Sequence, residues 1–196
     1  MHLVPIFSYV LLRGKCAFCS SKISRLYPVN EFFITAMVVI ITYHAGPYSI
    51  HGWLAITLIL CLYAQAVIDF KTLSLSTYLS VIIGLLGFAL NYLNFFTSII
   101  DSLFGLTLGY GSLWLINYIY KKIKGIDGIG SGDYLLLGAV GSIFGSSSLG
   151  IILLSSSIFS IGLYFFTKKI HGERIPLGTG IALSSIISLV LIILNK

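Results

Sequence analysis

Two aspartates, Asp69 and Asp133, are the side chains here best suited to chemistry, in a 196-residue chain with only six acidic residues. Asp69 closes an apolar run over residues 53–68, and Asp133 opens another over 134–144, directly after Gly128-Ile129-Gly130-Ser131-Gly132. A charged side chain in a transmembrane segment costs about 2.5–3.5 kcal/mol at mid-bilayer, less near the interface, and such groups usually mark function. Two carboxylates brought together cannot both ionise cheaply, so one holds a proton at neutral pH. The ionised member can activate a water as general base while the protonated member polarises a peptide carbonyl, with no metal or cofactor required. Gly130 and Gly132 suit that chemistry, because glycine tolerates unusual backbone angles and lets a substrate strand approach closely.

A simpler reading is structural. Asp133 at a helix start could serve only as an N-cap. Asp69 at a helix end is not open to that reading, since the macrodipole disfavours an acid there. Asp101 reads as interfacial and Asp127 as loop-exposed beside Lys124. Gln65, one helical turn before Asp69, either bonds it or faces the bundle interior.

The elements that must position these acids are membrane helices. The chain is 57% hydrophobic and 9% charged, with a mean hydropathy of +1.01, whereas a soluble domain carries roughly 25% charged residues. Continuous apolar runs, not alternating ones, exclude a β-barrel. The expected fold is all-α, a polytopic transmembrane helical bundle with a short cytoplasmic N-terminal loop and about seven spans: 30–45, 52–69, 75–93, 98–120, 133–146, 148–167 and 177–195. Residues 1–12 contain Pro5 and lack a basic start and a cleavage site, so they read as a short interfacial helix and not as a removed signal peptide. Residues 1–29 form an N-terminal cytoplasmic or interfacial segment and 30–196 a membrane domain. Tyr43, Trp53, Tyr92 and Tyr120 near span ends read as interfacial anchors. Gly84, Gly87, Gly105, Gly109, Gly138 and Gly141 read as close-packing positions.

A net charge of +6 in a soluble protein would suggest nucleic acid. Here the basic residues sit in short loops, so membrane orientation explains them and no nucleic-acid partner is expected. Arg13, Lys15, Lys22 and Arg25 precede the first span, and Lys71 follows the second. Lys121, Lys122 and Lys124 follow the fourth, and Lys168, Lys169 and Arg174 the sixth. Only Lys196 falls on the other side. The positive-inside rule makes the basic side cytoplasmic, which places Asp69 and Asp133 on the same, cytoplasmic face.

At these residues the chain resembles the type IV prepilin leader peptidases, membrane aspartic peptidases of the GxGD type. Arg13-Gly14-Lys15-Cys16-Ala17-Phe18-Cys19, Ile23-Ser24 and Tyr27-Pro28-Val29-Asn30-Glu31 resemble that family's cysteine loop and the start of the next helix. Ala66-Val67-Ile68-Asp69 and Gly125-Ile126-Asp127-Gly128-Ile129-Gly130-Ser131-Gly132-Asp133 resemble the two segments bearing its catalytic acids. Ile175-Pro176-Leu177-Gly178 through Ala182-Leu183 resembles the start of its last helix. The resemblance implies catalysis by Asp69 and Asp133 in the bacterial inner membrane. The implied substrate is the basic leader of a prepilin or pseudopilin, cut just after a Gly at the cytoplasmic face, ahead of an apolar helix in the lipid.

The chain departs from the family at three places. Ser76-Thr77 replaces a Pro-Asp common there, and Leu135 stands where a Lys is often found. It also begins where the family's first CxxC would end, a short form without the first helix. Tetrahedral zinc needs four ligands; Cys16 and Cys19 supply two, His2 is a poor candidate and Cys61 lies mid-span, so an intrachain zinc site is expected to be incomplete and N-methyltransferase activity absent. The alternative function is a small ion or proton-coupled transporter using the two acids, which predicts acids near the midplane and inverted repeats.

Overall fold

The structure is a computed structural model in which residues 5–171 and 175–195 are described. Arg174 and Lys196, invoked above for orientation, and His2 lie outside them, as do the side chains of Lys168 and Lys169. Eight helices follow in order: α1 (Pro5–Leu11), α2 (Leu26–Ala45), α3 (Ile50–Thr72), α4 (Thr77–Tyr92), α5 (Ile99–Lys124), α6 (Ser131–Phe144), α7 (Leu149–His171) and α8 (Leu177–Leu194). Seven of these match the expected spans. Segments of α2, α3, α5 and α8 are long and apolar enough to cross a bilayer, while α4, α6 and the apolar part of α7 are shorter. α2 begins at Leu26, ahead of the expected residue 30, because Pro28 falls in the first turn, where a missing N–H breaks no helical bond.

α6 is the centre. Leu136, Leu137, Val140 and Ile143 are fully buried, and the helix packs against α5, α4 and α8. α3 joins α8 and α4 around it, with α2 and α7 outside. Outward faces carry large apolar side chains, such as Ile151, Leu154, Ile158 and Phe165 on α7. That pattern suits a lipid solvent, in which the bundle interior is no more apolar than its surface.

With little hydrophobic drive between helices in lipid, close backbone contact and buried polar bonds must hold them. The α5–α6 seam shows the first. A Cβ on Gly105 would stand 2.1 Å from the Gly141 carbonyl oxygen, and one on Gly109 would stand 2.6 Å from that of Leu137. All six glycines assigned to packing face a neighbouring helix, although Gly84 has room at 3.7 Å.

Asn91 shows the second. Its amide nitrogen donates to the carbonyls of Ser142 (2.9 Å) and Ile143 (2.8 Å) and to Ser102 Oγ (2.7 Å), and its oxygen accepts from the N–H groups of Phe96 and Thr97 (3.1 Å each). One buried side chain thus caps α6 and ties α4, the following loop and α5 to it. Asp101, expected only at an interface, is a latch beside it. It accepts from Thr97 Oγ1 and from the backbone N–H and hydroxyl of Ser146, which fixes the α6–α7 turn.

At 14 residues, α6 is about 21 Å long against a hydrocarbon core of about 30 Å. It cannot span that thickness alone, so at least one of its ends lies below a surface. The pole at its N-terminus, with Asp133, collects the ends of α3 and α5, the starts of α4 and α8, and Lys71, Lys121, Lys122 and Lys124.

The glycine seam is directly testable by thermal unfolding in detergent. Gly105→Ala should destabilise by at least about 1–3 kcal/mol, the usual cost of overpacking. Gly111→Ala on the same helix, where a Cβ meets nothing within 4 Å, should be neutral or slightly stabilising. Equal melting temperatures for the two variants would contradict the seam.

Candidate active site

Asp69 lies in the last turn of α3, where the helix dipole opposes a negative charge. The compensation comes from another helix. The first turn of α8 aims at the acid, and the Thr179 N–H donates to Asp69 Oδ2 at 2.6 Å while the Thr179 hydroxyl donates to the same oxygen at 2.8 Å. Pro176, the N-cap of α8, offers no side-chain cap, so Asp69 caps that helix from outside. Both residues are buried, at 4% exposure each.

Gly178 permits this approach, since a Cβ there would stand 3.0 Å from Asp69 Cγ and 2.7 Å from Leu75 Cδ1. Leu75 is the wedge of the pole. A Cβ on Gly132 would come within 2.8 Å of Leu75 Cβ, so one leucine fills the space left by two glycines, one beside each acid.

The α3–α4 turn that carries Leu75 is held by Gln65. This fully buried side chain donates to the Ser76 carbonyl (2.9 Å) and to Ser80 Oγ (2.8 Å), and accepts from the Ser76 N–H (3.0 Å). Its partners are therefore at the start of α4 and do not include Asp69. Ser76 also caps α4 by accepting from the Leu79 N–H. Leu73 ends α3 in the left-handed region at φ 51°, an arrangement costing a non-glycine residue about 1–2 kcal/mol.

Asp133 sits in the first turn of α6, half-buried, and its N–H donates to the Gly130 carbonyl at 3.1 Å. Asp69 and Asp133 line one cleft of about 620 Å³ with Leu73, Ile175, Leu177 and the segment 127–130. Gly130 lines this cleft. Gly132 instead makes room for Leu75, a packing role beside the backbone-positioning one expected of it.

The loop 125–130 is organised by Asn117, a residue the motifs did not point to. Its amide nitrogen donates to Asp127 Oδ1 (2.9 Å), and its oxygen accepts from the N–H groups of Gly128 (2.8 Å) and Ile129 (3.0 Å). The Tyr134 hydroxyl donates to the Ile129 carbonyl (2.8 Å), and Gly128 lies under the Tyr120 ring, which gives that expected anchor a second task. Asp127 pairs with Lys121 (2.9 Å) and not with Lys124. The Lys121 hydrogen bond and then that of Asn117 hold its carboxyl below the ordinary value. Asp127 also lines the cleft, so three of the chain's six acidic residues surround one cavity.

Cys16 and Cys19 share an exposed hairpin closed by a single antiparallel bridge between Lys15 and Lys22. Cys19 Sγ lies 3.0 Å from Ser21 Oγ, and hydrogen bonds to Ser21 lower its thiol to about 7. Among the described residues no third Cys, His, Asp or Glu joins them. Two thiols do not fit a tetrahedral metal site, and no step below uses one.

Two family models match separate stretches of the chain. Residues 1–45 match the bacterial peptidase A24 N-terminal domain, and residues 55–166, more than half of the chain, match the type IV leader peptidase family. Both aspartates fall in the second match and the cysteine hairpin in the first, whereas Thr179 lies beyond either. The chain is 32% identical over 186 residues to a prepilin leader peptidase/N-methyltransferase of Neisseria gonorrhoeae, covering 92% of this chain and 63% of that one. It is 32% identical over 193 residues to the protein of the same name from Aeromonas hydrophila, and 31% identical over 193 residues to that of Pseudomonas aeruginosa, covering 95% of this chain and 65% of each. The chain thus spans slightly less than two thirds of their length. No solved structure matches.

Hydrogen exchange tests the loop. Asn117→Ala should speed exchange of the Gly128 and Ile129 amides at least tenfold, while Lys121→Met should change it little, because an exposed ion pair is worth about 0–1 kcal/mol. Since the Asp127 carboxyl is depressed, its pairing is fully present above its unfolded value of about 3.9 and is lost only as pH falls below that. Exchange at these amides should therefore show no Asp127-dependent step between pH 5 and 8.

Proposed function

The chain belongs to the type IV leader peptidase family, and we propose that it is a membrane aspartic endopeptidase that removes the basic leader of type IV prepilins or prepilin-like proteins. Cleavage follows a Gly at the cytoplasmic face of the bacterial inner membrane. The observation that carries this reading is the placement of Asp69 and Asp133 on two different helix ends facing one cleft.

In the reaction, the ionised member of the pair takes a proton from a water as that water attacks the carbonyl carbon of the Gly. The protonated member donates to the carbonyl oxygen, and a tetrahedral diol forms. Collapse breaks the C–N bond, the amine leaves with a proton from the first acid, and the second regains its own. No metal or cofactor enters. Gly130, on the cleft wall, is the proposed neighbour of the substrate backbone.

The position of both acids at helix ends on one pole supports the substrate class. A prepilin helix lying in the bilayer beside this bundle would bring its leader junction to the level of the cleft. With Asp127 already paired to Lys121, the pair Asp69 and Asp133 gives that cavity a local negative field that attracts a basic leader even in a cationic protein. The short basic loops support a cytoplasmic opening by the positive-inside rule. The transporter alternative finds no comparable support: both acids stand at helix ends on one pole, not at mid-span.

Cleavage of a prepilin by the purified protein in detergent tests the reading. Asp69→Asn and Asp133→Asn should each lower the rate at least about 1,000-fold, and the double variant should be little worse, because the pair acts as a unit. Normal cleavage by either single variant would refute the dyad.

A further inference from the structure

The Thr179 hydroxyl has two acceptors in reach. Asp69 Oδ2 lies at 2.8 Å and the Ala66 carbonyl, one turn earlier on α3, at 3.3 Å. A hydroxyl carries one proton and two lone pairs, so it can donate to only one of them at a time with good geometry. Meanwhile the Thr179 N–H stays on Oδ2 at 2.6 Å, and both side chains are excluded from solvent.

We propose that Thr179 is a positioning residue that holds Asp69 in one place through both of its protonation states by turning its hydroxyl between Asp69 and Ala66. With Asp69 ionised, the hydroxyl and the N–H both donate to Oδ2. When that oxygen takes up a proton, the hydroxyl accepts it and donates to the Ala66 carbonyl instead. The heavy atoms need not move, so the acid stays aligned while its charge cycles. A side chain with only a fixed donor would lose its bond in one of the two states, leaving a buried polar group unpaired, which is costly. The titratable groups facing the same cleft are Asp133 on α6 and Asp127 on the loop, the latter already paired with Lys121. α8 contributes no charge in its described first turn.

The proposal deepens the peptidase reading and rests on it for its kinetic consequence, but a second readout is independent of cleavage. Thr179→Val keeps the shape and the N–H and removes the hydroxyl. It should lower kcat for prepilin cleavage roughly 10- to 100-fold, the scale of a misaligned catalytic group, with KM changed less than about twofold. Thr179→Ser, which restores the hydroxyl, should recover activity to within about threefold of wild type. Carbodiimide labelling, which reports the protonated carboxyl, should persist at Asp69 of the Val variant to about one pH unit higher than in wild type, as expected for losing one hydrogen bond to a carboxylate. Thr179→Cys, with a weak S–H donor, carries the same comparison if the Val variant does not fold. Wild-type kcat together with a wild-type labelling profile in the variant lacking the hydroxyl would overturn the proposal. Failure of the wild type to cleave any prepilin would sink the peptidase reading alone, because the labelling comparison still decides the role of Thr179.

Discussion

An acid in the last turn of a buried helix is held against the helix dipole, and this bundle offsets that conflict with the start of a neighbouring helix. α3 and α8 pack side by side, and the first turn of α8 brings the Thr179 N–H to the Asp69 carboxylate in the last turn of α3. Almost any apolar side chain on α8 would tolerate several registers along α3. The 2.6 Å contact tolerates one, and Gly178 is the only residue type whose lack of a Cβ leaves room for it. Because α8 also packs on α6, fixing it on α3 indirectly sets where Asp133 stands.

The second constraint is the burial of one end of α6. The C-terminal end of this helix, at Phe144 and Gly145, is buried, where water cannot satisfy the backbone groups that a helix leaves unpaired. There Asn91 takes two carbonyls, while at the exposed start of the helix Gly130 accepts from Asp133. That start lines a cleft with the end of α3, the start of α8 and the Asn117-braced loop, and the glycines around it reflect how closely Leu75 and the surrounding backbones pack.

Much of this was legible in the sequence, for a physical reason. Helices in lipid must be continuously apolar, so the seven runs announced themselves, as did the glycines that let backbones touch. The two acids stood out because charge is so costly in such runs. What escaped notice were single polar residues whose partners are distant along the chain. Asn91, Asn117 and Thr179 have no periodicity and no cost signature, since a buried Asn with every bond satisfied looks, in sequence, like any other Asn. Gln65 was noticed but given an uncertain partner, because a position one turn before Asp69 says nothing about the start of α4, whose backbone it binds. Asp127 is exposed on its loop, as read from the sequence, but its partner differs: a loop folded back on Asn117 brings it to Lys121 instead of Lys124, on the wall of the cleft.

That last displacement bears on how a cationic protein could accept a cationic peptide. With a formal charge of +6, the surface as a whole repels a basic segment, and its lysines at this pole stand close to the cleft. The Lys121–Asp127 pair lessens both problems at once. It cancels one of those lysines and uses the acid that could otherwise add a third negative charge beside the pair, where like charges would compete for the same proton. The remaining acids, Asp69 and Asp133, then act as a pair rather than as part of a triad. Their burial strengthens the interaction with an incoming positive charge relative to water. In the proposed peptidase reading, a local field set by one buried and one half-buried acid would decide docking even though the net charge has the opposite sign, because a site's own electrostatics, and not the overall charge of a protein, selects its substrate.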